Sequence, residues 1–124
     1  MKKLSKIFLL IILFQLSSTQ TFAYNDYRSS DEIFDLYSDQ ESKFSILVYF
    51  NGLGGGFAWA NTELESLNQK LLYCQPMDLA IGAEDYFKIY RSEYFKNEEI
   101  WGSFELQPPG FILLKGLINK YPCN

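Results

Sequence analysis

The stretch "LAIGAEDYFKIYRSEYF", residues 79 to 95, carries the clearest structural pattern in the chain. Its apolar and aromatic residues recur at three and four positions, and charged side chains fall on the opposite side, which is the pattern of an amphipathic helix. The apolar positions are Leu79, Ala83, Tyr86, Phe87, Tyr90 and Tyr94. Because such an aromatic face belongs to a core more often than to a ligand site, we predict that this helix packs inside the fold.

Shorter helices are predicted on both sides of this segment. Upstream, Ser29 and Glu32 have the spacing of a capping box, which predicts a first helix from about Asp31 to Asp39. Downstream, the "PPG" at residues 108 to 110 marks a loop that leads into a last helix, which Pro122 ends. The predicted apolar face of the last helix is Phe111, Leu114, Leu117, Ile118 and Tyr121.

A glycine-rich stretch, "YFNGLGGGFAWAN" at residues 49 to 61, raises the question of a phosphate-binding loop. A dinucleotide fingerprint needs G-x-G-x-x-G, but Gly52 and Gly54 are followed by Phe57 where the third glycine belongs. A phosphate loop needs a Gly-Lys pair, which this stretch lacks. We therefore interpret the glycines as a place where helices pack.

The same stretch is predicted to be helical with an interruption. Residues 46 to 50 fit a buried strand or a buried helix, and the length of the block favours a helix. Gly52 and Gly56 lie about one turn apart, so another helix could approach that face closely. Since each glycine weakens a helix by about 1 kcal/mol relative to alanine, we expect a kink or break near Gly54. The Asn-Thr at residues 61 to 62 suits a helix end and a new cap.

The first 23 residues have the order of a secretory signal peptide. Three lysines precede an apolar run of ten residues, Ile7 to Leu16, and a polar segment ends at Ala23. A bilayer-spanning helix needs about 20 apolar residues. We predict cleavage after Ala23 and an exported domain of residues 24–124 without stable membrane association; an uncleaved membrane anchor is the alternative.

Cleavage would make the chain more acidic. Loss of three lysines leaves 8 basic and 15 acidic residues, a formal charge of −7. This charge disfavours nucleic acid as a partner and favours a basic protein surface. Solubility of an exported protein is the other explanation, and the sequence leaves both open.

Cys74 and Cys123 are the two cysteines of the chain. Because exported proteins pass through an oxidising compartment, we predict a disulfide between them. A loop of this length would stabilise the fold by about 4 kcal/mol in the chain-entropy model. The bridge would tie the last helix to the segment before residues 79–95.

The sequence lacks the arrangements of catalytic residues that common enzymes use. The chain contains no histidine, which is the commonest general base and zinc ligand. Its acidic pairs, Glu84 with Asp85 and Glu98 with Glu99, are sequence neighbours, and adjacent helical positions do not converge on one bond. We predict a protein that is not an enzyme and that uses no metal or cofactor. A cryptic enzyme that works with acids alone is the alternative.

Four segments together resemble the Rap/Tai family of immunity proteins associated with type VI secretion: "YFNGLGGGFAWAN", "LLYCQP", "AEDYFKIYRSEYF" and "LLKGLINKYPC". In that family an aromatic-x-x-Gly segment with a following Ala-Asn leads to Cys-x-Pro. A helix with a spaced aromatic comes next, and the last helix ends in aromatic-Pro-Cys. Over roughly residues 44 to 123, the matching positions are Tyr49, Gly52, Ala60, Asn61, Cys74, Pro76, Tyr86, Tyr90, Leu117, Tyr121, Pro122 and Cys123.

The resemblance implies a small helical periplasmic protein that binds and inhibits a toxic effector, in known cases a peptidoglycan amidase. It also implies protection against neighbouring cells of the same kind. Family members often carry a further cysteine before the aromatic-Gly segment, where this chain has Ile46 and Leu47, so a second bridge is absent. The identity of the effector does not transfer, because immunity surfaces diverge with their toxins. A homodimer is also left open.

The candidate contact with a partner is the segment "NEEIWGSFEL", residues 97 to 106, which is predicted to be a loop. Trp101 and Phe104 offer apolar anchors, and Glu98 and Glu99 place charge beside them. The alternative is that the two aromatic rings fold back onto the core.

These patterns predict an all-α fold, a small single-domain bundle of about four to five helices with one disulfide. The predicted function is a periplasmic immunity protein that fills the cleft of its cognate effector. A non-catalytic structural or chaperone-like envelope protein, which binds unfolded chains through aromatic surface, is the alternative.

Overall fold

A computed structural model describes residues 29–103 and 107–123, and these form five helices and no strand. The helices are α1 Ser30–Ser38, α2 Lys43–Ser66, α3 Ala83–Lys96, α4 Glu98–Trp101 and α5 Pro109–Lys120. The predicted all-α bundle with one disulfide is therefore confirmed. The predicted signal peptide, residues 1–23, lies outside the described residues.

Helix α3 supplies most of the aromatic core, and it packs against both α5 and α2. Its aromatic face is buried, as the sequence predicts. Tyr90 is fully buried, and its ring centroid lies 5.7 Å from that of Phe34 in α1 and 4.7 Å from that of Phe50 in α2. The Tyr90 hydroxyl donates a hydrogen bond to Ser30 Oγ over 2.8 Å, so this buried polar group has a partner.

The predicted start of α3 is wrong. The apolar spacing predicts a helix from Leu79, but α3 begins at Ala83 and Leu79 lies exposed in the preceding loop. Gly82 is the N-cap, and Asp85 in the first turn accepts a hydrogen bond from the Gly82 N–H at 3.4 Å. A residue before a cap can continue the helical spacing, so periodicity alone does not locate the first turn.

Helix α1 follows its capping signal. The Ser29 side chain accepts a hydrogen bond from the Glu32 N–H over 3.2 Å. This satisfies one of the backbone donors that a helix start leaves free. The helix lies within one residue of the predicted bounds, so the prediction is confirmed.

Helix α2 is continuous over its 24 residues. Residues 46 to 50 are helical, as the length of the block favours, and the predicted break near Gly54 is wrong. Low intrinsic propensity is overridden here because the helix packs against α1 and α3.

The close approach that the glycines predict occurs at a different glycine. A Cβ added to Gly54 would lie 2.3 Å from ring atoms of Tyr86, so α2 and α3 are in close contact there. Gly52 and Gly56, the predicted pair, have nothing within 4 Å of an added Cβ. The predicted face is therefore wrong: the side of α2 that carries Gly54 meets α3, and the side that carries Gly52 and Gly56 does not.

The predicted helix end at residues 61 to 62 is also wrong, because both residues lie inside α2. The helix ends where Asn68 adopts the left-handed conformation, with φ of 53°. Asn61 instead holds the loop that follows. Its side chain donates to the Tyr73 carbonyl and accepts from the Leu72 N–H, each over 2.8 Å.

Helix α5 begins at Pro109 after Pro108, as predicted, and its buried face matches the predicted one in part. Leu114, Ile118 and Tyr121 are partly buried against the core, as predicted. Phe111 is half-exposed, whereas Leu117 is fully buried. The buried residues are Pro109, Ile112, Leu113, Gly116 and Leu117. This helix carries apolar residues on nearly every side, so the apolar pattern does not specify one face.

A second glycine contact joins α5 to α3. A Cβ added to Gly116 would lie 2.8 Å from Ile89 Cγ2 and 3.1 Å from the Ile89 carbonyl oxygen. Glu93 is buried beside this contact, and its two carboxylate oxygens accept hydrogen bonds from Asn97 Nδ2 and Asn119 Nδ2, each over 2.9 Å. Both oxygens of this buried carboxyl group therefore have hydrogen-bond donors, one from α5 and one from the end of α3.

The predicted disulfide is present. Cys74 and Cys123 are bonded, with Cα atoms 4.9 Å apart, and the Cys74 N–H donates to the Tyr121 carbonyl over 2.8 Å. The bridge ties the segment after α5 to the loop between α2 and α3, as the sequence predicts.

We expect Gly54→Ala to lower the free energy of unfolding, because its methyl group collides with the Tyr86 ring. Overpacking of this kind typically costs about 1–3 kcal/mol. The matched control is Gly56→Ala, which has open space at the new methyl group and should gain up to about 1 kcal/mol from helix propensity. Urea denaturation measures both changes, and a stabilised Gly54→Ala variant would contradict the contact.

We expect reduction of the disulfide to lower the free energy of unfolding by about 4 kcal/mol, because the closed loop spans 49 residues. The measurement is the urea midpoint with and without reductant. The control is a Cys74→Ser/Cys123→Ser variant, whose midpoint should not respond to reductant. Equal midpoints for the oxidised and reduced native protein would contradict the stabilising role.

We expect stability to fall at alkaline pH. Burial raises the pKa of Tyr73 to about 12 and also raises the pKa values of Tyr86, Tyr90 and Tyr94. An unfolded tyrosine ionises near pH 10. The folded chain keeps these protons, so the stabilisation is complete below about pH 10 and is lost as the pH rises towards about 12.

The measurement is Tm between about pH 9 and pH 11, for the native chain and for Tyr73→Phe. The variant should keep its stability at neutral pH, since within the described residues the Tyr73 hydroxyl has no hydrogen-bond partner. Its Tm should fall less steeply than that of the native chain. If Tm falls equally steeply with pH in both proteins, ionisation of Tyr73 does not cause the loss of stability.

Candidate partner-binding surface

The segment that the sequence predicts to bind a partner contains the corner between α3 and α4. Asn97 forms this corner, because its carbonyl accepts hydrogen bonds from the N–H groups of Ile100 and Trp101, each over 2.9 Å. The Asn97 side chain also donates to the buried Glu93 carboxylate. The segment was predicted to be a loop, and the single helical turn of α4 corrects that prediction.

Trp101 does not project from the surface. Its side chain is 6% exposed, and its ring centroid lies 5.8 Å from that of Phe111 in an edge-to-face contact. The prediction that Trp101 is an exposed anchor is therefore wrong, and the alternative, in which the ring folds back onto the core, describes this residue. Phe104, the second predicted anchor, lies outside the described residues.

The outer side of α4 presents both charge and apolar area. Glu98 and Glu99 are exposed, and the Ile100 side chain is 56% exposed. Phe111 of α5, which packs on Trp101, is half-exposed. We call Glu98, Glu99, Ile100 and Phe111 the α4 surface.

Ile100 and Phe111 were not predicted to belong to this surface, and the reason is geometric. In a single helical turn, a buried Trp101 leaves the three residues before it to face other directions, so the exposed apolar group is Ile100. Once the segment is known to be helical, this could be read from the sequence. The exposure of Phe111 could not, because it depends on which face of α5 meets α3.

The α4 surface is suited to contact with a protein rather than with a small molecule. It is a helical turn on the outside of the bundle, with apolar groups beside two carboxylates. Protein interfaces combine apolar anchors with a charged rim in this way. The complementary partner surface would be partly apolar with basic residues at its edge.

The family-motif residues do not converge on one surface. Tyr90 lies in the core, Asn61 holds the loop after α2, and Gly52 faces open space. Tyr49 is half-buried and lines a cavity of about 290 Å³ between α1, α2 and the start of α5. Two further matching positions, Pro76 and Pro122, are exposed. The buried members of this set support the fold rather than a binding site.

A polar cluster on another side joins three helices. The Tyr37 hydroxyl donates to Glu84 Oε2 over 2.7 Å, and Lys43 Nζ lies 3.4 Å from Glu84 Oε1. The hydrogen bond from Tyr37 holds the pKa of Glu84 below its usual value, and the bonds to Glu84 raise the pKa values of Tyr37 and Lys43. Because Glu84 stays ionised near neutral pH, this cluster acts as a link between helices and not as a general acid.

In residues 29–103 and 107–123, no group of three or more Cys, Asp or Glu side chains is placed to hold a metal ion. Within the same ranges, every helix is too short or too polar to cross a membrane.

Comparisons with models of protein families, with curated proteins and with solved structures found no match to this chain. The resemblance to the Rap/Tai family therefore stays a prediction from the four sequence segments.

Proposed function

We propose that the protein is a periplasmic immunity protein that binds a cognate secreted effector and blocks its active site. The α4 surface is the proposed contact. We further propose that the effector is a peptidoglycan amidase delivered by a type VI secretion system. This part of the proposal depends on the family resemblance alone.

The observation that supports this proposal is the exposed Ile100 beside Glu98 and Glu99 on a fixed helical turn. The buried Trp101 and the Asn97 hydrogen bonds hold that turn in place. A surface that is already ordered loses little conformational entropy on binding, which favours tight association. An inhibitor that acts by occupying an active site needs no catalytic groups of its own.

A chaperone-like envelope protein is the second candidate, and one observation favours it. Phe44, Val48 and Trp59 are exposed along α2, and exposed apolar area can bind unfolded chains. Native-state binding of an apolar dye, with loss of that binding on adding an unfolded protein, would support this candidate over the inhibitor.

We expect changes on the α4 surface to weaken binding to the exported hydrolase encoded beside the gene of this protein. Ile100→Ala removes an exposed anchor and should raise the dissociation constant about 10-fold or more, mainly through faster dissociation. Glu98→Gln/Glu99→Gln should slow association and reduce its dependence on salt, because rim charges steer the encounter. Surface plasmon resonance at two salt concentrations measures both effects.

The matched control is Glu41→Gln/Asp78→Asn, which removes the same charge from two exposed sites outside α4. This variant should change association by less than the α4 pair. If both pairs have the same effect, the acidic residues act through net charge alone. If Ile100→Ala binds as well as the native chain, the α4 surface is not the contact.

A further inference from the structure

A groove between α3 and α5, with a volume of about 400 Å³, is lined by three lysines. Lys88 and Lys96 lie on α3, and Lys120 is the last residue of α5. Ser92 lies between the first two, so these three α3 residues follow one another along one side of that helix. Asn119 of α5 completes the exposed lining. We call Lys88, Ser92, Lys96, Asn119 and Lys120 the basic groove.

The charge of this groove is opposite to that of the chain. The full sequence has 15 acidic and 11 basic residues, a formal charge of −4. Around the groove, three ammonium groups stand against one carboxyl group, that of Glu93. Helix α5 contains Lys115 and Lys120 and no acidic residue. A groove lined mainly by one sign of charge concentrates ions of the opposite sign, so this groove attracts anions.

The acidic group of the groove is turned into the fold. Glu93 is 5% exposed, and its two carboxyl oxygens accept hydrogen bonds from the side chains of Asn97 and Asn119, each over 2.9 Å. These bonds hold the carboxyl group at the base of the groove. The part of the lining that meets solvent is therefore basic and neutral.

The lysines of the groove are only weakly paired within the chain. Lys88 Nζ lies 4.0 Å from Asp85 Oδ1, and both side chains are more than half exposed. An exposed ion pair of this kind contributes about 0–1 kcal/mol. Among the described residues, neither Lys96 nor Lys120 forms an ion pair. Like charges that line one groove repel each other, and a bound anion relieves that repulsion.

Helix ends explain only part of this arrangement. Lys96 and Lys120 are each the last residue of a helix, where a positive charge offsets the helix dipole. This stabilisation would be the same if the two side chains faced different directions. It also does not apply to Lys88, which lies in the second turn of α3. The meeting of all three in one groove is the feature that points to a ligand.

We propose that the basic groove binds a compact anion that carries a phosphate group. Lysine binds phosphate as a point charge, and the Ser92 hydroxyl and the Asn119 side chain add neutral hydrogen-bonding groups. The volume of about 400 Å³ lies within the range of small-molecule sites, about 300–1,000 Å³. A long polyanion such as a nucleic acid is disfavoured, because the rest of the acidic chain repels it.

This site is separate from the proposed effector contact. The basic groove and the α4 surface have no residue in common, so binding of the anion and binding of the effector can be measured independently. The phosphate group of a soluble compound and that of a lipid headgroup present the same chemistry to the groove. The experiments below test the groove first and then distinguish these two sources.

Pyrophosphate is the probe for the groove. Its titration into the isotope-labelled exported chain should shift the amide NMR signals of residues 88–96 and 116–120 to saturation, and should leave most signals of α1 and α2 in place. Sodium chloride added to the same ionic strength is the control and should not produce these shifts. Absence of saturable shifts, or equal shifts throughout the chain, would overturn the proposal.

A pair of double variants tests the lysines. Lys96→Gln/Lys120→Gln should raise the dissociation constant for pyrophosphate at least about 10-fold, because two of the three ammonium groups are lost. The matched control Lys70→Gln/Lys115→Gln removes the same charge from two exposed lysines outside the groove. At physiological salt, where screening acts over about 8 Å, the control should bind almost as well as the native chain.

Both double variants change exposed side chains and should keep the helical circular dichroism of the native chain. If the two pairs weaken binding equally, net charge alone attracts the anion and the groove is not its site. If Lys96→Gln/Lys120→Gln binds pyrophosphate as tightly as the native chain, the proposal is also overturned.

Vesicles identify the source of the phosphate group. The native chain and Lys96→Gln/Lys120→Gln are sedimented with phosphatidylcholine vesicles that contain phosphatidylglycerol. Binding of the native chain that the variant loses would assign the groove to a lipid headgroup. Absence of vesicle binding by a chain that binds pyrophosphate would assign it to a soluble phosphate compound.

Discussion

Close approach at two glycines positions α3 within the bundle. Gly54 of α2 leaves space for the Tyr86 ring, and Gly116 of α5 leaves space for the backbone and side chain of Ile89. A side chain at Gly54 would displace the Tyr86 ring, and a side chain at Gly116 would collide with the side chain and the carbonyl oxygen of Ile89. The aromatic core around Tyr90 depends on this spacing, because its contacts with α1 and α2 need the helices at these distances.

The parts of this fold that follow from local chemistry could be predicted from the sequence. The Ser29 cap, the aromatic face of α3 and the single disulfide each depend on a short pattern or on compartment chemistry. The parts that depend on tertiary contact could not. The glycine-rich stretch reads as a weak helix, yet packing keeps α2 continuous, and only the position of α3 decides that Gly54 is the close glycine.

In the candidate site, too, some features could be predicted from the sequence and others depend on tertiary contacts. The exposure of Glu98 and Glu99 follows from their charge, and the structure places both outside. The burial of Trp101 depends on the turn at Asn97 and on Phe111, which lies ten residues further along the chain. An apolar residue in a connecting segment can face the core or the solvent. Its neighbours in space decide whether it packs inside the fold or is exposed to a partner.

The central claim is that this protein acts by occupying the active site of a secreted hydrolase. The most direct measurement is the activity of the hydrolase encoded beside its gene while the purified protein is titrated into the assay. The account predicts a linear loss of activity that reaches zero at one chain per enzyme, with the added protein recovered intact. Full hydrolase activity in the presence of excess protein would contradict it.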